Sequence, residues 1–151
     1  MGVRNGVIKG DIVVYRGEPF VIELAARLSG GYFCTHEIPL NTGVDLVGAA
    51  IRQALGEPVN PDELNPKFQK PVAQRYFFPD PGIVTKIDGL ENFEDHPDIA
   101  LLEIRVKKGE LVKPINSHPS RAGVVITTGE TQESAIALAE RVIREVEITV
   151  S

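Results

Sequence analysis

Apolar and polar positions near the N-terminus are arranged in a way that predicts a β-hairpin. Two apolar runs, residues 12–15 and 20–24, flank a short polar segment that contains Gly17. Short apolar runs separated by a turn signal are typical of paired antiparallel strands. Gly17 can adopt the positive φ that a tight turn requires, because it has no Cβ. We therefore expect the chain to reverse direction at residues 16–18.

The length of this turn decides which residues face each other across the hairpin. A one-residue change of register would move every side chain of one strand to the opposite face. We expect a three-residue loop. The register that follows pairs Tyr15 with Pro19, Val13 with Val21, and Asp11 with Glu23.

Two further segments carry apolar residues at the three- and four-residue spacing of an amphipathic helix. The first covers residues 42–56 and ends at Gly56, a common helix stop. The second covers residues 131–146, where Thr131 is a suitable N-cap and Glu133 suits the first turn. The expected buried stripes are Val47, Ala50, Ile51 and Ala54 in the first helix, and Ile136, Ala139, Val142, Ile143 and Val146 in the second.

The second half of the chain is rich in strand patterns. A hairpin is expected between residues 99–107 and 110–113, because Lys108 and Gly109 form a turn signal between them. Strands and helices follow one another without the regular alternation of parallel folds, so the predicted fold class is α+β. Further strands are predicted at 73–78, 82–87, 122–127 and 147–150.

Composition narrows the possible classes of protein. A chain of 151 residues with 42% apolar residues can form one domain or two small subdomains. Its net charge of −5, without a basic cluster, argues against a nucleic-acid partner. No apolar stretch reaches the length of a membrane span, and the single cysteine, Cys34, excludes an internal disulfide. We expect a cytoplasmic protein that binds neither nucleic acid nor membrane.

Asp11 and Glu23 are the first candidates for metal-binding residues. Directly opposed residues in an antiparallel pair have Cβ atoms about 5 Å apart, and like charges at that distance repel each other. A shared Mg²⁺ would remove this repulsion, because hard cations prefer carboxylate oxygens. The alternative interpretation is a pair of solvated surface charges that holds no metal.

The hairpin and the residues after it resemble the C-terminal end of an ATP-grasp ligase domain. In that family the second strand ends in a motif of the type Glu-Ile-Asn-Pro-Arg, and this chain has Glu-Leu-Ala-Ala-Arg at 23–27. The resemblance implies that Asp11 and Glu23 are Mg²⁺ ligands. It also implies that Arg27 is a catalytic residue that contacts acyl or phosphate oxygens. The family's asparagine ligand falls on Ala25, which has no metal-binding atom.

The second half of the chain resembles the C-terminal domain of biotin carboxylase. Residues 76–85, Tyr-Phe-Phe-Pro-Asp-Pro-Gly-Ile-Val-Thr, are similar to the segment that opens the small sheet of that domain. Residues 124–146 resemble its terminal strand, glycine turn and helix. The two resemblances predict the C-terminal portion of an ATP-grasp domain at 1–57, a proline-rich connector at 58–72 and a biotin carboxylase-like subdomain at 73–151.

Taken together, these similarities imply a component of an ATP-dependent, ADP-forming carboxylate ligase. In the family, ATP phosphorylates a carboxylate to an acyl phosphate, and a nucleophile then displaces the phosphate. ATP, a small carboxylate and Mg²⁺ or Mn²⁺ are the implied ligands. The phosphate-cradling lysines and adenine pocket of the family have no counterpart in this sequence. The resemblance therefore implies either the C-terminal piece of a longer ligase or one half of a split enzyme whose partner is an upstream ATP-grasp half. Under both alternatives we expect no turnover by the chain alone.

Four residues after the motif are candidates for binding the substrate or its phosphate. Ser29, Gly30 and Gly31 would offer backbone N–H groups to phosphate oxygens, and a plain turn is the alternative for this segment. His36 is expected to line the substrate pocket, because the loop after the glycine pair does so in the family.

Two arginines have competing interpretations. Arg27 would either contact the transferring group or form an ordinary ion pair with Glu23 or Asp11. Arg121 would either contact the substrate from the second half of the chain or form a surface ion pair, which is the favoured interpretation.

A non-catalytic role belongs to a different class of function. The corresponding domain of biotin carboxylase helps to form homodimers, so this chain would be a dimerisation or assembly module. Exposed apolar strands favour self-association, and the strand at 124–127 is the expected edge. A homo-oligomer is expected under either interpretation.

Overall fold

The computed structural model describes residues 2–151, which form two compact units. The first unit extends to Phe68 and the second begins at Gln69. This boundary lies inside the segment 58–72 that the sequence assigns to a connector. The assignment of residues 1–57 to an ATP-grasp domain and of residues 73–151 to a biotin carboxylase-like subdomain stays a prediction. None of the helices in residues 2–151 has the length and apolar character needed to cross a membrane.

The first unit consists of a hairpin followed by a helical region. The helical region begins with a π-helical turn, a rare element that occurs often at functional sites. The elements are strand β1 (Lys9–Tyr15), strand β2 (Glu18–Ala25), the π-helical turn (Phe33–Glu37), helix α1 (Ile38–Thr42), helix α2 (Leu46–Ala54) and a 3₁₀ turn (Pro61–Leu64).

The turn of the hairpin has two residues rather than the expected three. Arg16 and Gly17 form it, with φ values of 52° and 82°. Two positive φ values give a turn whose twist matches that of the flanking strands, so the two-residue loop is favoured here. The residue opposite Tyr15 is therefore Glu18. The pairs predicted near the turn, Tyr15 with Pro19 and Val13 with Val21, are wrong.

A β-bulge restores the predicted pairing farther from the turn. Ile12 faces Val21, whereas Asp11 faces Glu23. Ile22 is consequently an extra residue on β2, as in a β-bulge. The bulge compensates for the shorter loop, and the predicted opposition of Asp11 and Glu23 is confirmed.

Apolar side chains are exposed on both faces of this hairpin. A two-stranded hairpin without a packed layer is at best marginally stable in water. Further strands or helices would therefore be expected to cover these residues, which we call the hairpin surface. Its members are 47–70% exposed and comprise Ile12, Val13, Val14, Tyr15, Phe20, Val21, Ile22 and Leu24.

The first predicted helix is shorter than expected, and its buried face is different. Gly43, with φ of 73°, ends α1, because a left-handed residue cannot continue a helix. The carboxylate of Asp45 then caps α2 by accepting a backbone N–H at 2.8 Å. Ala49 is buried and the predicted Val47 and Ala50 are half-buried, whereas Ile51 and Ala54 are exposed, so the predicted stripe is wrong for two of its four residues. Apolar residues occur on more than one side of this short helix. Tertiary packing, and not the spacing of apolar residues, therefore selects the buried side.

The second unit combines two antiparallel sheets with one long helix. Its elements are β3 (Val72–Phe77), β4 (Gly82–Asp88), a 3₁₀ turn (Leu90–Phe93), β5 (Ile99–Ile104), β6 (Leu111–Val112), a 3₁₀ turn (His118–Ser120), β7 (Gly123–Thr128), helix α3 (Gln132–Glu145) and β8 (Glu147–Val150). The strand orders are β3–β7–β5 in one sheet and β6–β4–β8 in the other. This mixture of antiparallel sheets and helices confirms the predicted α+β class.

Two predictions about strand partners are wrong. The hairpin predicted between residues 99–107 and 110–113 does not form, because β6 pairs with β4 through Gly82 and Ile83. The strand at 124–127 is not an edge, since β7 lies between β3 and β5 and is buried along its length. The alternation of apolar and polar residues along a segment predicts a strand, but it does not identify the strand with which that segment pairs.

Helix α3 covers the β3–β7–β5 sheet and forms the core of the second unit. The predicted stripe is confirmed, with Ala139, Val142 and Val146 buried in the core and Ile136 and Ile143 packed against it. The hydroxyl of buried Thr127 donates a hydrogen bond of 2.7 Å to the Ala135 carbonyl, which ties β7 to the helix. The hydroxyl is therefore satisfied although it is shielded from water.

Candidate functional site

The two carboxylates that the sequence singles out lie on one face of the hairpin. Asp11 and Glu23 are directly opposed across β1 and β2. Their side chains are 51% and 55% exposed, so both remain accessible to a ligand from solvent. The structure thus brings together the pair of oxygen donors on which the metal hypothesis depends.

Lys9 lies beside both carboxylates, and the sequence analysis missed it. Its Nζ atom is 2.5 Å from Oδ2 of Asp11 and 3.7 Å from Oε1 of Glu23. Lys9 precedes Asp11 by two residues, so both side chains point to the same face of the strand. Ala25 lies opposite Lys9 and leaves room for the lysine side chain. The signal in the sequence was the spacing Lys-Gly-Asp at 9–11.

The same arrangement of charges recurs in the second unit. Asp88 faces Glu147 across β4 and β8, and Nζ of Lys86 lies 2.6 Å from Oδ2 of Asp88. A lysine two residues before an acid that faces a second acid is therefore not, by itself, diagnostic of a metal site. The second occurrence provides a matched control for experiments on the first.

The donor set at the hairpin fits a cation that brings further ligands with it. In residues 2–151, no group of three or more His, Cys, Asp and Glu side chains is placed to hold a metal ion. Mg²⁺ commonly takes one or two carboxylates from the protein and fills its other positions with water and substrate phosphates. The ammonium of Lys9 already occupies the region of negative potential between the acids. The residues present are thus compatible with Mg²⁺ or Mn²⁺ bound together with a phosphate ligand.

Arg27 lies in an exposed bend of the chain directly after β2. Its backbone N–H donates to the Ala25 carbonyl at 2.9 Å, and Nη1 donates to the Leu28 carbonyl at 3.1 Å. Among the contacts of residues 2–151, Arg27 forms no ion pair with Asp11 or Glu23. The guanidinium is therefore accessible to an anionic ligand, as the proposed role requires.

The segment after Arg27 turns sharply into the π-helical element. The Gly30 carbonyl accepts the Phe33 N–H at 3.4 Å, which closes a turn. Gly31 and Tyr32 both have positive φ, 66° and 72°. The backbone therefore turns at residues 30–33, and this geometry does not decide between a plain turn and a phosphate-binding segment. Phosphate binding by Ser29, Gly30 and Gly31 stays a prediction.

His36 lies in the π-helical turn and is held by two neighbours. Its Nδ1 is 2.9 Å from the hydroxyl oxygen of Thr35, and its ring meets Tyr32 edge-on with centroids 5.1 Å apart. In the part of the chain that the structure describes, His36 contacts neither Asp11 nor Glu23. Its role in a substrate pocket stays a prediction.

Glu37 ends the π-helical turn and is half-buried. Burial raises the pKa of its carboxyl above the ordinary value of 4.5, because desolvation disfavours the charged form. The folded protein therefore binds this proton more tightly than the unfolded chain does. Folding stability falls as the pH rises from the unfolded pKa through the raised folded pKa.

Replacing Glu37 by glutamine is expected to raise the melting temperature at pH 7.5 and to leave it nearly unchanged at pH 4. At the higher pH the substitution removes a charge that is costly to bury, whereas pH 4 lies below the ordinary pKa of 4.5 and the carboxyl is mostly protonated in both the folded and the unfolded protein. Thermal unfolding followed by circular dichroism measures both values. Glu57→Gln, at an exposed position, is the control and should change neither. An equal effect of Glu37→Gln at both pH values would contradict this interpretation.

Arg121 in the second unit forms a stacking contact. Its guanidinium carbon lies 3.8 Å from the centroid of the Tyr76 ring. This is a cation–π geometry, which holds the guanidinium plane while its N–H edge can still meet an anion. Arg121 forms no ion pair within residues 2–151, so its favoured interpretation as a member of a surface ion pair is wrong. The sequence offered no signal for this pair, because the two residues lie far apart in the chain.

Comparisons with known proteins add to this picture. The family model described as L-amino acid ligase C-terminal domain 2 matches residues 75–151. Uncharacterized protein y4rH from Sinorhizobium fredii (strain NBRC 101917 / NGR234) is 26% identical over 134 residues, which cover 88% of this chain and 27% of that protein. The chain thus spans about a quarter of the length of this curated relative.

Solved structures with the same fold cover nearly the whole chain. Phosphoribosylglycinamide synthetase from Anaerococcus prevotii matches 99% of this chain and 38% of its own, with a TM-score of 0.84 and 19% identity. L-amino acid ligase from Bacillus licheniformis matches 99% and 37%, with a TM-score of 0.79 and 22% identity. Biotin carboxylase from Campylobacter jejuni matches 96% and 32%, with a TM-score of 0.67 and 17% identity. These matches show that the chain shares its fold with a part of each of these proteins. Together with the family match over residues 75–151, they confirm the predicted resemblance to the C-terminal part of ATP-grasp ligases.

Proposed function

Because this chain belongs to the L-amino acid ligase C-terminal domain 2 family, we propose that it contributes the C-terminal part of an ATP-dependent, ADP-forming carboxylate ligase. The observation that carries the proposal is the opposition of Asp11 and Glu23 on an accessible face of the hairpin. The proposed reaction activates a small carboxylate as an acyl phosphate, which an amine or other nucleophile then attacks.

In this proposal Asp11 and Glu23 hold Mg²⁺ or Mn²⁺ together with the phosphate oxygens of ATP. The bound ion would neutralise negative charge on the transferring phosphoryl group. Phosphoryl transfer depends mainly on positioning and charge neutralisation, so few protein groups need to take part in bond making. This fits a site whose own donors are only two carboxylates.

The residues after β2 would orient the substrate. Arg27 carries an exposed guanidinium, and its planar fork suits acyl or phosphate oxygens. Ser29, Gly30 and Gly31 would add backbone N–H groups to those oxygens, because glycine lets a ligand approach the backbone closely. His36 would form part of the pocket wall for the carboxylate substrate.

The exposed apolar residues of the hairpin surface are the reason to expect that further protein covers this site. Its eight apolar side chains are exposed on both faces of a two-stranded ribbon, which further strands and helices would cover. We propose that these layers and the nucleotide-binding residues come from the remaining part of an ATP-grasp domain, in the same or in another chain. The metal site would then lie where this hairpin meets the nucleotide-binding part, and ATP would reach it there.

Titration of the full 151-residue chain with Mn²⁺, followed by electron paramagnetic resonance, tests the proposed metal site. We expect the double variant Asp11→Asn/Glu23→Gln to bind Mn²⁺ at least about 10-fold more weakly than the wild type, because metal sites commonly lose this much when their ligand shell is disturbed. The matched control is Asp88→Asn/Glu147→Gln, which removes the same charges from the opposed pair in the second unit. Its Mn²⁺ affinity should equal that of the wild type.

The same experiment decides between the ligase component and the assembly module. Equal Mn²⁺ binding by the wild type and by Asp11→Asn/Glu23→Gln would contradict the proposed metal role. A stable dimer in light scattering would, in that case, favour a non-catalytic dimerisation module. The hairpin surface is the observation that supports this second candidate, because exposed apolar strands favour self-association.

A further inference from the structure

We propose that Lys9 is the resident counter-ion of the Asp11–Glu23 pair, and that it makes the site prefer a metal ion that carries a polyphosphate over the bare ion. This inference rests on the proposed metal role of the pair. It assigns a function to a side chain that neither the motif at 23–27 nor the family match includes, since the family model covers residues 75–151.

The geometry places the ammonium where a cation is needed. Nζ of Lys9 contacts Oδ2 of Asp11 at 2.5 Å and lies 3.7 Å from Oε1 of Glu23. The Lys9 side chain is only 20% exposed, whereas both carboxylates are about half exposed. The lysine therefore packs along the hairpin and presents its charge between the two acids, which keeps the opposed carboxylates from repelling each other.

A bare divalent ion must compete with this ammonium. Asp11 and Glu23 together carry a charge of −2, and Lys9 reduces it to −1. Lys9 approaches one oxygen of each carboxylate, Oδ2 of Asp11 and Oε1 of Glu23, so a divalent ion held between the two acids is repelled by the ammonium unless the ammonium withdraws. Because this withdrawal breaks an ion pair, a metal ion that arrives alone binds with lower affinity.

An ion that arrives with phosphate groups gains from the same lysine. After the ammonium withdraws it remains attached two residues from Asp11, on a flexible four-carbon stem. The loaded site then contains two carboxylates, one divalent ion and one ammonium, and its net charge is +1. Phosphate oxygens form strong charge-assisted hydrogen bonds with such an ammonium. Lys9 should therefore weaken binding of the free ion and strengthen binding of its polyphosphate complex.

Substitution of Lys9 by methionine tests this inference with two probes, Mn²⁺ alone and the preformed complex of Mn²⁺ with inorganic tripolyphosphate. Calorimetric titration of the full chain should show Mn²⁺ alone binding about 5-fold more tightly to Lys9→Met, and the complex about 5-fold more weakly, the size expected for one partly exposed ion pair. Lys9→Gln should move both affinities in the same directions as Lys9→Met. Lys9→Arg keeps the charge and should restore the affinity for the complex.

Lys86→Met is the matched control, because Lys86 has the same spacing from an acid that faces a second acid. It should leave both affinities unchanged. The inference is overturned if both probes shift in the same direction in Lys9→Met, if neither shifts, or if Lys86→Met gives the same shifts. Failure of the proposed function is recognised separately, by Mn²⁺ affinity that does not change in Asp11→Asn/Glu23→Gln.

Discussion

Replacing Gly89 by alanine is expected to destabilise the second unit by about 3 kcal/mol, a size typical of backbone overlap combined with a strained conformation. Gly89 has φ of 82°, in the left-handed region, and a Cβ added there would lie 2.2 Å from the carbonyl oxygen of Glu145. Glu145 is the last residue of α3, so this contact involves backbone rather than a movable side chain. The turn after β4 or the end of α3 would have to shift.

Gly109→Ala separates the two contributions to that loss. Gly109 has nearly the same φ, 85°, but a Cβ there meets nothing within 4 Å. Its substitution should therefore cost only the conformational strain, about 1 kcal/mol. Urea unfolding followed by circular dichroism measures both variants against the wild type. Equal losses for the two variants would show that the approach to Glu145 does not matter.

Replacing Phe77 by alanine is expected to lower the free energy of unfolding by about 3–4 kcal/mol, as is usual when a buried phenylalanine is truncated. Phe77 is 4% exposed and belongs to the core between α3 and the β3–β7–β5 sheet. Alanine would leave a cavity that the surrounding strands cannot easily close. The loss follows from the missing apolar packing and not from a change in the backbone.

The neighbouring residue provides the control for this prediction. Phe78, which directly follows the end of β3, is 63% exposed. Phe78→Ala should change the free energy of unfolding by less than about 0.5 kcal/mol. Urea unfolding of the two variants compares the same chemical change at adjacent positions. A loss for Phe78→Ala as large as that for Phe77→Ala would contradict this explanation, because it would show that burial does not set the difference between the two rings.

The pairing of Asp11 with Glu23 was predictable from the sequence, although the predicted loop was one residue too long. The two-residue turn moves the strand register by one position, and the bulge at Ile22 moves it back. A bulge inserts one extra residue into a single strand, and this changes the register of all pairs beyond it. The sequence contains no equally clear signal for the position of a bulge.

Lys9 shows that the charge environment of the site depends on tertiary structure. Its spacing from Asp11 is visible in the sequence, and the same spacing occurs at Lys86 and Asp88. Whether a lysine contacts one acid or lies beside two depends on the cross-strand register and on the space left by the opposite residue. At the hairpin that opposite residue is Ala25. These properties belong to the paired strands and not to either strand alone.

The sequence by itself determined the local elements whose signals lie within a few residues: the hairpin, the capped helix α3 with its apolar stripe, the α+β class and the motif that indicates an ATP-grasp ligase. Tertiary structure alone decided which strands became neighbours, which side of α2 was buried, and that Arg121 stacks on Tyr76. The physical reason is that caps, turns and periodicity are short-range properties of the chain. Strand partners and buried faces depend instead on competition among distant surfaces, and the best packing of the whole unit resolves it.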